Sequence, residues 1–167
     1  ASLNEFLSKT LNVYVSANTA WIDRQYWDDS IGQSKDNPES VFVGFDLSAT
    51  RDLNAVCTLK RYADDDYFAE FKFFLPEDAL ELIPSHYRGI FDQAIQSGIL
   101  HITEGNVMDD REISEYIKNQ CSLYDVKEVG YDAYNAASLI ARLHDHGIPV
   151  KKVGQGMAVL SNPSKHT

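Results

Sequence analysis

Two aspartates, Asp46 and Asp132, lie 86 residues apart, and each falls at the end of a strand-like run, Val41 to Leu47 for the first and Val126 to Asp132 for the second. Carboxylates held side by side repel unless a cation or a proton lies between them. A fold that brings these strand ends together therefore makes a divalent-metal site or a general acid/base pair. Oxygen-only ligands favour Mg2+ or Mn2+. Zinc is disfavoured, because there is no Cys-x-x-Cys and the histidines of His144-Asp145-His146 stand two apart near a helix end, off any shared face. No Gly-x-x-x-x-Gly-Lys-Ser/Thr loop occurs, so the chain is not itself a P-loop ATPase. After Asp46 come Leu47-Ser48-Ala49-Thr50-Arg51-Asp52, small and polar residues that let a phosphate backbone approach, with Arg51 as the candidate phosphate partner.

The elements that must position these acids follow from periodicity. Residues 1–40 read as a connector ending in a loop, with aromatic Trp21, Tyr26 and Trp27 ahead of a polar stretch containing Gly32, Asn37 and Pro38. Val41 to Leu47, Ala55 to Tyr62 and Tyr67 to Leu75 form a strand meander, the last two joined by a solvated Ala63-Asp64-Asp65-Asp66 turn. After Pro76 the period becomes helical, with Tyr87, Ile90, Phe91, Ala94 and Ile95 on one stripe and Gly98 as the stop. A short extended piece, Ile99 to Thr103, leads to a second helix, with Asp109 and Glu112 spaced as a capping box and Ile113, Tyr116 and Ile117 as its stripe. Beyond the strand at Val126 to Asp132, Asn135 is placed as an N-cap, and Ala136, Leu139, Ile140 and Leu143 repeat at helical spacing. Gly147 and Pro149 end that helix before a last strand near Val150 to Val153. The predicted fold class is α/β, a mixed sheet of strand order 3-2-1-4-5 with helices on both faces. That order makes the first and fourth strands neighbours, and Asp46 and Asp132 converge at one sheet edge near the reversal of strand order.

With 167 residues, 44% hydrophobic and 24% charged, the composition is that of a single globular domain. The formal net charge of −10 excludes a uniformly positive field. It does not exclude a nuclease, since a carboxylate site is acidic until its ions bind. Cys57 and Cys121 read as free thiols in a reducing setting. No apolar run approaches the roughly 20 residues that cross a bilayer, and no export leader is visible, so a soluble domain with no membrane partner is expected.

Several blocks in order carry a resemblance: Val43-Gly44-Phe45-Asp46-Leu47-Ser48 with Asp52-Leu53-Asn54-Ala55-Val56, Thr103-Glu104-Gly105-Asn106-Val107, Gly130-Tyr131-Asp132-Ala133-Tyr134-Asn135-Ala136, and Gly154-Gln155-Gly156-Met157 with Leu160-Ser161. From about Val41 to Lys165 the chain resembles the nuclease domain of tailed-phage terminase large subunits, and the stretch with Trp21 and Trp27 looks like the connector that follows the family's ATPase domain. The resemblance implies a ribonuclease H-like fold. It also implies a metal-dependent endonuclease that cuts concatemeric viral double-stranded DNA during packaging in the host cell cytoplasm, using a two-ion Mg2+ or Mn2+ site. The implied partners are the DNA, the terminase ATPase domain, the portal protein and the small terminase subunit. Asp46 matches the family's first-strand metal ligand and Asp132 its second catalytic acid. The family's third acid lies well downstream of the Gln-Gly block and has no match before Thr167, so a connector at 1–40 and a nuclease domain at 41–167, shortened at its C-terminus, are expected. Glu104 is the candidate auxiliary acid, Arg51 and Lys165 are candidate DNA contacts, and Lys151 and Lys152 are available for steering.

Two rival readings draw on the same residues. An actin-like or sugar-kinase ATPase also begins with an Asp-bearing strand and a small-residue turn, but needs a second Gly-rich phosphate turn that does not follow Asp132. The other is a catalytically incomplete docking domain that contacts portal or small terminase subunit. Exposure of Trp21, Trp27 or the Phe71-Phe73-Phe74 stretch would favour it.

Overall fold

The computed structural model describes residues 22, 24–48 and 52–166, without the side chains of Arg24, Lys165 and His166, and divides the chain into Ala1–Ser34 and Lys35–Thr167. In the first unit the described element is a short helix, α1 (Arg24–Asp29), with Tyr26 and Trp27 exposed; Trp21 lies outside the described residues.

The second unit is built on six strands: β1 (Ser40–Asp46), β2 (Asn54–Arg61), β3 (Tyr67–Pro76), β4 (Leu100–Thr103), β5 (Val126–Tyr131) and β6 (Val150–Lys152). Its helices are α2 (Glu77–Glu81), α3 (Ser85–Gln96), α4 (Asp110–Leu123), α5 (Ala137–Asp145) and α6 (Met157–His166). The sheet runs β4-β3-β2-β1-β5-β6. β1, β2 and β3 pair antiparallel, whereas β1 with β5, β5 with β6, and β3 with β4 pair parallel. The five predicted strands keep their predicted order, and the extended piece after α3 adds a sixth outside β3.

Period-two alternation decides which face each side chain serves. Val41, Val43 and Phe45 of β1, Val56 of β2, Phe74 of β3 and Val129 of β5 point to one face, where α4 lays down Ile113 and Ile117 and α5 Leu139 and Leu143. Each such fully buried side chain contributes about 1.5–3 kcal/mol. On the opposite face α2 and α3 pack Ala79, Phe91, Ala94 and Ile95 against Leu75 and Leu100. The part of that face formed by β1, β2, β5 and the first half of β3 is left partly open, and Phe42 and Phe71 are exposed there.

Four local expectations are corrected. Tyr87 and Ile90 of the α3 stripe are exposed, because the helix turns Phe91, Ala94 and Ile95, and not these two, onto Leu75 and Leu100. Asn135 does not cap α5; it takes a positive φ of 52° and the cap position falls on Ala136. The capping box forms by half: Asp109 accepts the Arg111 N–H, while the Glu112 carboxylate is drawn to His101 and does not reach back. A further helix, α6, forms where the sequence predicts no element, with Pro163 in its interior. Gly98 and Gly147, in contrast, stop their helices with φ of 75° and 72°.

Candidate active site

Parallel pairing of β1 with β5 sets Gly44 opposite Gly130 and Phe45 opposite Tyr131. The next residue on each strand is an aspartate, so Asp46 and Asp132 stand side by side at the carboxyl ends of neighbouring strands about 4.8 Å apart. By alternation both belong to the partly open face. β1 is also where pairing changes from antiparallel, with β2, to parallel, with β5. Carboxyl ends at such a switch point are where open α/β sheets place their sites.

Each acid is held by a different local device. Asp46 ends the ladder opposite Ala55 and is flanked by buried Phe45 and Leu47, which fix the backbone on either side. Asp132 sits in an Asx turn, its Oδ1 accepting the Tyr134 N–H at 3.3 Å, and the left-handed Asn135 then redirects the chain into α5. Among the described residues, neither carboxylate is in an ion pair. A groove of about 360 Å³ runs from Phe42 and Leu59 over Gly44 and Gly130 to Asp132 and Gln155. A Cβ at Gly130 would stand 3.0 Å from a Val153 methyl, a tight contact, whereas nothing lies within 4 Å of one at Gly44.

The other candidates are not brought to this pair. Glu104 is exposed beyond β4, at the same sheet edge but three strands from β1, or roughly 14 Å along the hydrogen-bonding direction. One ion's ligand shell does not span that distance. Lys151 is paired with Glu128 at 2.9 Å. Arg51 and the side chain of Lys165 lie outside the described residues. Among the described residues no group of three or more His, Cys, Asp or Glu side chains is placed to hold a metal ion. The donor set at the switch point is therefore two aspartates, oxygen ligands suited to Mg2+ or Mn2+.

A larger cleft, of about 580 Å³, lies on the helix-covered face between the β3–β4 edge and the start of α4, lined by Lys72, Phe74, His101, Arg111, Glu112 and Tyr116. Its polar side chains are already engaged, His101 with Glu112, Arg111 with Asp109 and Lys72 with the Gly98 carbonyl. The Arg111 guanidinium holds the Asp109 carboxyl below the usual carboxylate range.

Asn54 was missed as a site residue. It is buried at the start of β2 and bonds into the loop that follows Asp46. The available signal was an amide opening an otherwise apolar alternation, Asn54-Ala55-Val56-Cys57.

A mixed sheet in this order, with helices on both faces and acids at the ends of its first strand and that strand's parallel neighbour, defines a ribonuclease H-like domain. The family model for the terminase large subunit, endonuclease domain, matches residues 1–167, and the chain belongs to that family. It is 27% identical over 156 residues to the terminase large subunit of Enterobacteria phage HK97, a match covering 92% of this chain and 31% of that protein. It is 25% identical over 174 residues to Protein YmfN of Escherichia coli (strain K12), covering 97% of this chain and 38% of that protein. The crystal structure of the HK97 bacteriophage large terminase superposes with a TM-score of 0.76 at 23% identity, over 98% of this chain and 34% of that one. The chain thus spans between three and four tenths of the length of these curated relatives.

Proposed function

We propose that this domain is a metal-dependent endonuclease that hydrolyses phosphodiester bonds of concatemeric viral double-stranded DNA during genome packaging in the host cytoplasm. Its proposed partners are a terminase ATPase domain, to which residues 1–40 are proposed to connect it, the portal protein and the small terminase subunit. The observation that carries this reading is the placement of Asp46 and Asp132 on adjacent strand ends, with no cation paired to either among the described residues. Two carboxylates so placed repel, and a divalent cation relieves that repulsion. Asp46 and Asp132 would hold Mg2+ or Mn2+, as a single ion or as part of the two-ion site the family implies. Such ions activate water and stabilise the leaving oxygen in phosphodiester hydrolysis. The chain's own part is to hold both acids at one edge, with Asp132 oriented by the Tyr134 N–H. Arg51 and Lys165 are proposed phosphate contacts, which position a duplex without reading its sequence.

The test is a plasmid-nicking assay with Mn2+, Mg2+ or EDTA, run on the wild type and Asp46→Ala. Metal-dependent nicking that is lost in the variant without loss of folding is expected; nicking retained in Asp46→Ala overturns the assignment. Asp132→Asn is expected to weaken Mn2+ binding, and an unchanged titration removes it from the site. A second reading, a docking domain that contacts portal or small subunit, draws on the exposure of Trp27 and Phe71, although Phe74 of the same stretch is buried. Absence of nicking under every condition favours it.

A further inference from the structure

We infer that Asn54 is a positioning residue for Asp46, an inference that rests on Asp46 being a metal-binding acid of the proposed nuclease. Asn54 is 1% exposed and opens β2, next to the Asp46–Ala55 ladder pair. Its Oδ1 accepts the Ser48 N–H at 2.8 Å. Its Nδ2 donates to the Ser48 Oγ at 3.3 Å and to the Asp52 carbonyl at 3.2 Å. The Ser48 hydroxyl in turn donates to that same carbonyl at 2.9 Å. One side chain thus closes the base of the loop 47–53, a task usually left to backbone bonds. Both amide N–H groups are used, and the amide lies on the helix-facing side of the sheet, away from the groove.

The consequence falls on Asp46, which has a ladder partner at its own position and Asn54's grip on Ser48 two residues later. Without that grip the strand end is free to turn. The repulsion between Asp46 and Asp132 then favours turning apart, away from the arrangement an ion needs. Asn54 therefore opposes the acids' own electrostatics before any ion binds. Partners that orient metal ligands in this way are typically worth about 10–100-fold in metal affinity.

Asn54→Asp tests this at nearly constant shape. The new carboxylate still accepts the Ser48 N–H but sets an oxygen against the Asp52 carbonyl, whereas its protonated form has an O–H in place of the lost N–H. Mn2+ binding is measured by electron paramagnetic resonance without DNA, beside a melting curve, for wild type, Asn54→Asp and Asp46→Ala. At neutral pH, Mn2+ affinity is expected to fall by about 10–100-fold in Asn54→Asp, and its ratio to wild type to recover as the pH is lowered and the new carboxyl protonates. Wild-type affinity in a folded Asn54→Asp protein overturns the inference, as does a loss that is the same at every pH. If that variant does not fold, Ser48→Ala carries the test, since it deletes the hydroxyl's two bonds and leaves the N–H bond. A several-fold fall in Mn2+ affinity is then expected, and none overturns the inference. Failure of the underlying reading is separate: Asp46→Ala would bind Mn2+ as tightly as wild type.

Discussion

At the residue scale, the polar side chains that β2 turns toward the helices are kept because each has a partner, whereas the buried hydroxyls of Thr103 and Ser114 have none among the described residues. Along β2 the helix-facing positions are Asn54, Val56, Thr58 and Lys60, and all four are buried. Thr58 donates to Gln120 at 3.3 Å, and the Lys60 ammonium meets Glu70 at 3.1 Å and lies 4.7 Å from the centre of the Tyr124 ring. Such groups cost several kcal/mol if left unpaired, so they specify the register of α4 on the strands as well as filling space. Asp109 does the corresponding work at the start of α4, accepting the Arg111 N–H at 2.8 Å and the Arg111 Nε–H at 2.9 Å. Asp109→Ala is expected to cost about 1 kcal/mol of stability at neutral pH. Because the Arg111 hydrogen bonds lower the folded-state pKa, that contribution is complete above the unfolded carboxyl value of about 3.9 and is lost as the pH falls through the lower folded value. Urea unfolding of both proteins should show the gap near pH 7 and a smaller one near pH 3; an unchanged gap would mean that the carboxylate's charge contributes nothing.

At the element scale, Gly44 and Gly130 are directly paired on β1 and β5 yet face different neighbours. A Cβ on Gly130 meets Val153, which crosses over β5 after its N–H bonds the Tyr131 carbonyl at 2.8 Å. Gly130→Ala is expected to push this crossing away and cost about 1–3 kcal/mol, whereas Gly44→Ala, meeting nothing, should gain about 0.4–1 kcal/mol. Opposite signs in thermal melting are the check; equal losses would show that the floor of the groove is closed. Such pairings also explain what could be read in advance. Alternation in Val41 to Leu47 and the acid ending Val126 to Asp132 are local, and the rule for right-handed, short crossovers made them neighbours. The side of the sheet that β4 joins is decided by the free edge of β3, so nothing near Glu104 told that it would stand three strands from Asp46. Asn54 was hidden for a related reason, because its meaning lies in bonds to Ser48 and Asp52 across a loop, not in its spacing along the strand. The polar, Pro163-bearing α6 has low intrinsic propensity, and its helical state was not legible as a pattern.

At the scale of the whole molecule, a net charge of −10 opposes the approach of the DNA that the domain is proposed to cut. Among the described residues, seven lysines and arginines are paired with carboxylates: Lys35, Lys60, Arg61, Arg111, Lys118, Lys127 and Lys151. Lys72 is bonded to the Gly98 carbonyl as well. Each phosphate that the remaining cations neutralise contributes about −0.9 to the slope of log affinity against log salt. Long-range repulsion between the acidic domain and DNA is screened by the same salt, which works in the opposite direction. The two effects partly cancel. The initial nicking rate of the isolated domain, at fixed Mn2+ and subsaturating DNA, is therefore expected to change by less than about tenfold between roughly 50 and 200 mM salt. A domain making 6–10 phosphate contacts loses about 10³–10⁵ over that range. A fall of that size would show that this chain holds DNA through its own cations. A shallow dependence would assign that task to the rest of the packaging assembly and leave the acid pair, with its ions, as the domain's principal hold on the phosphate.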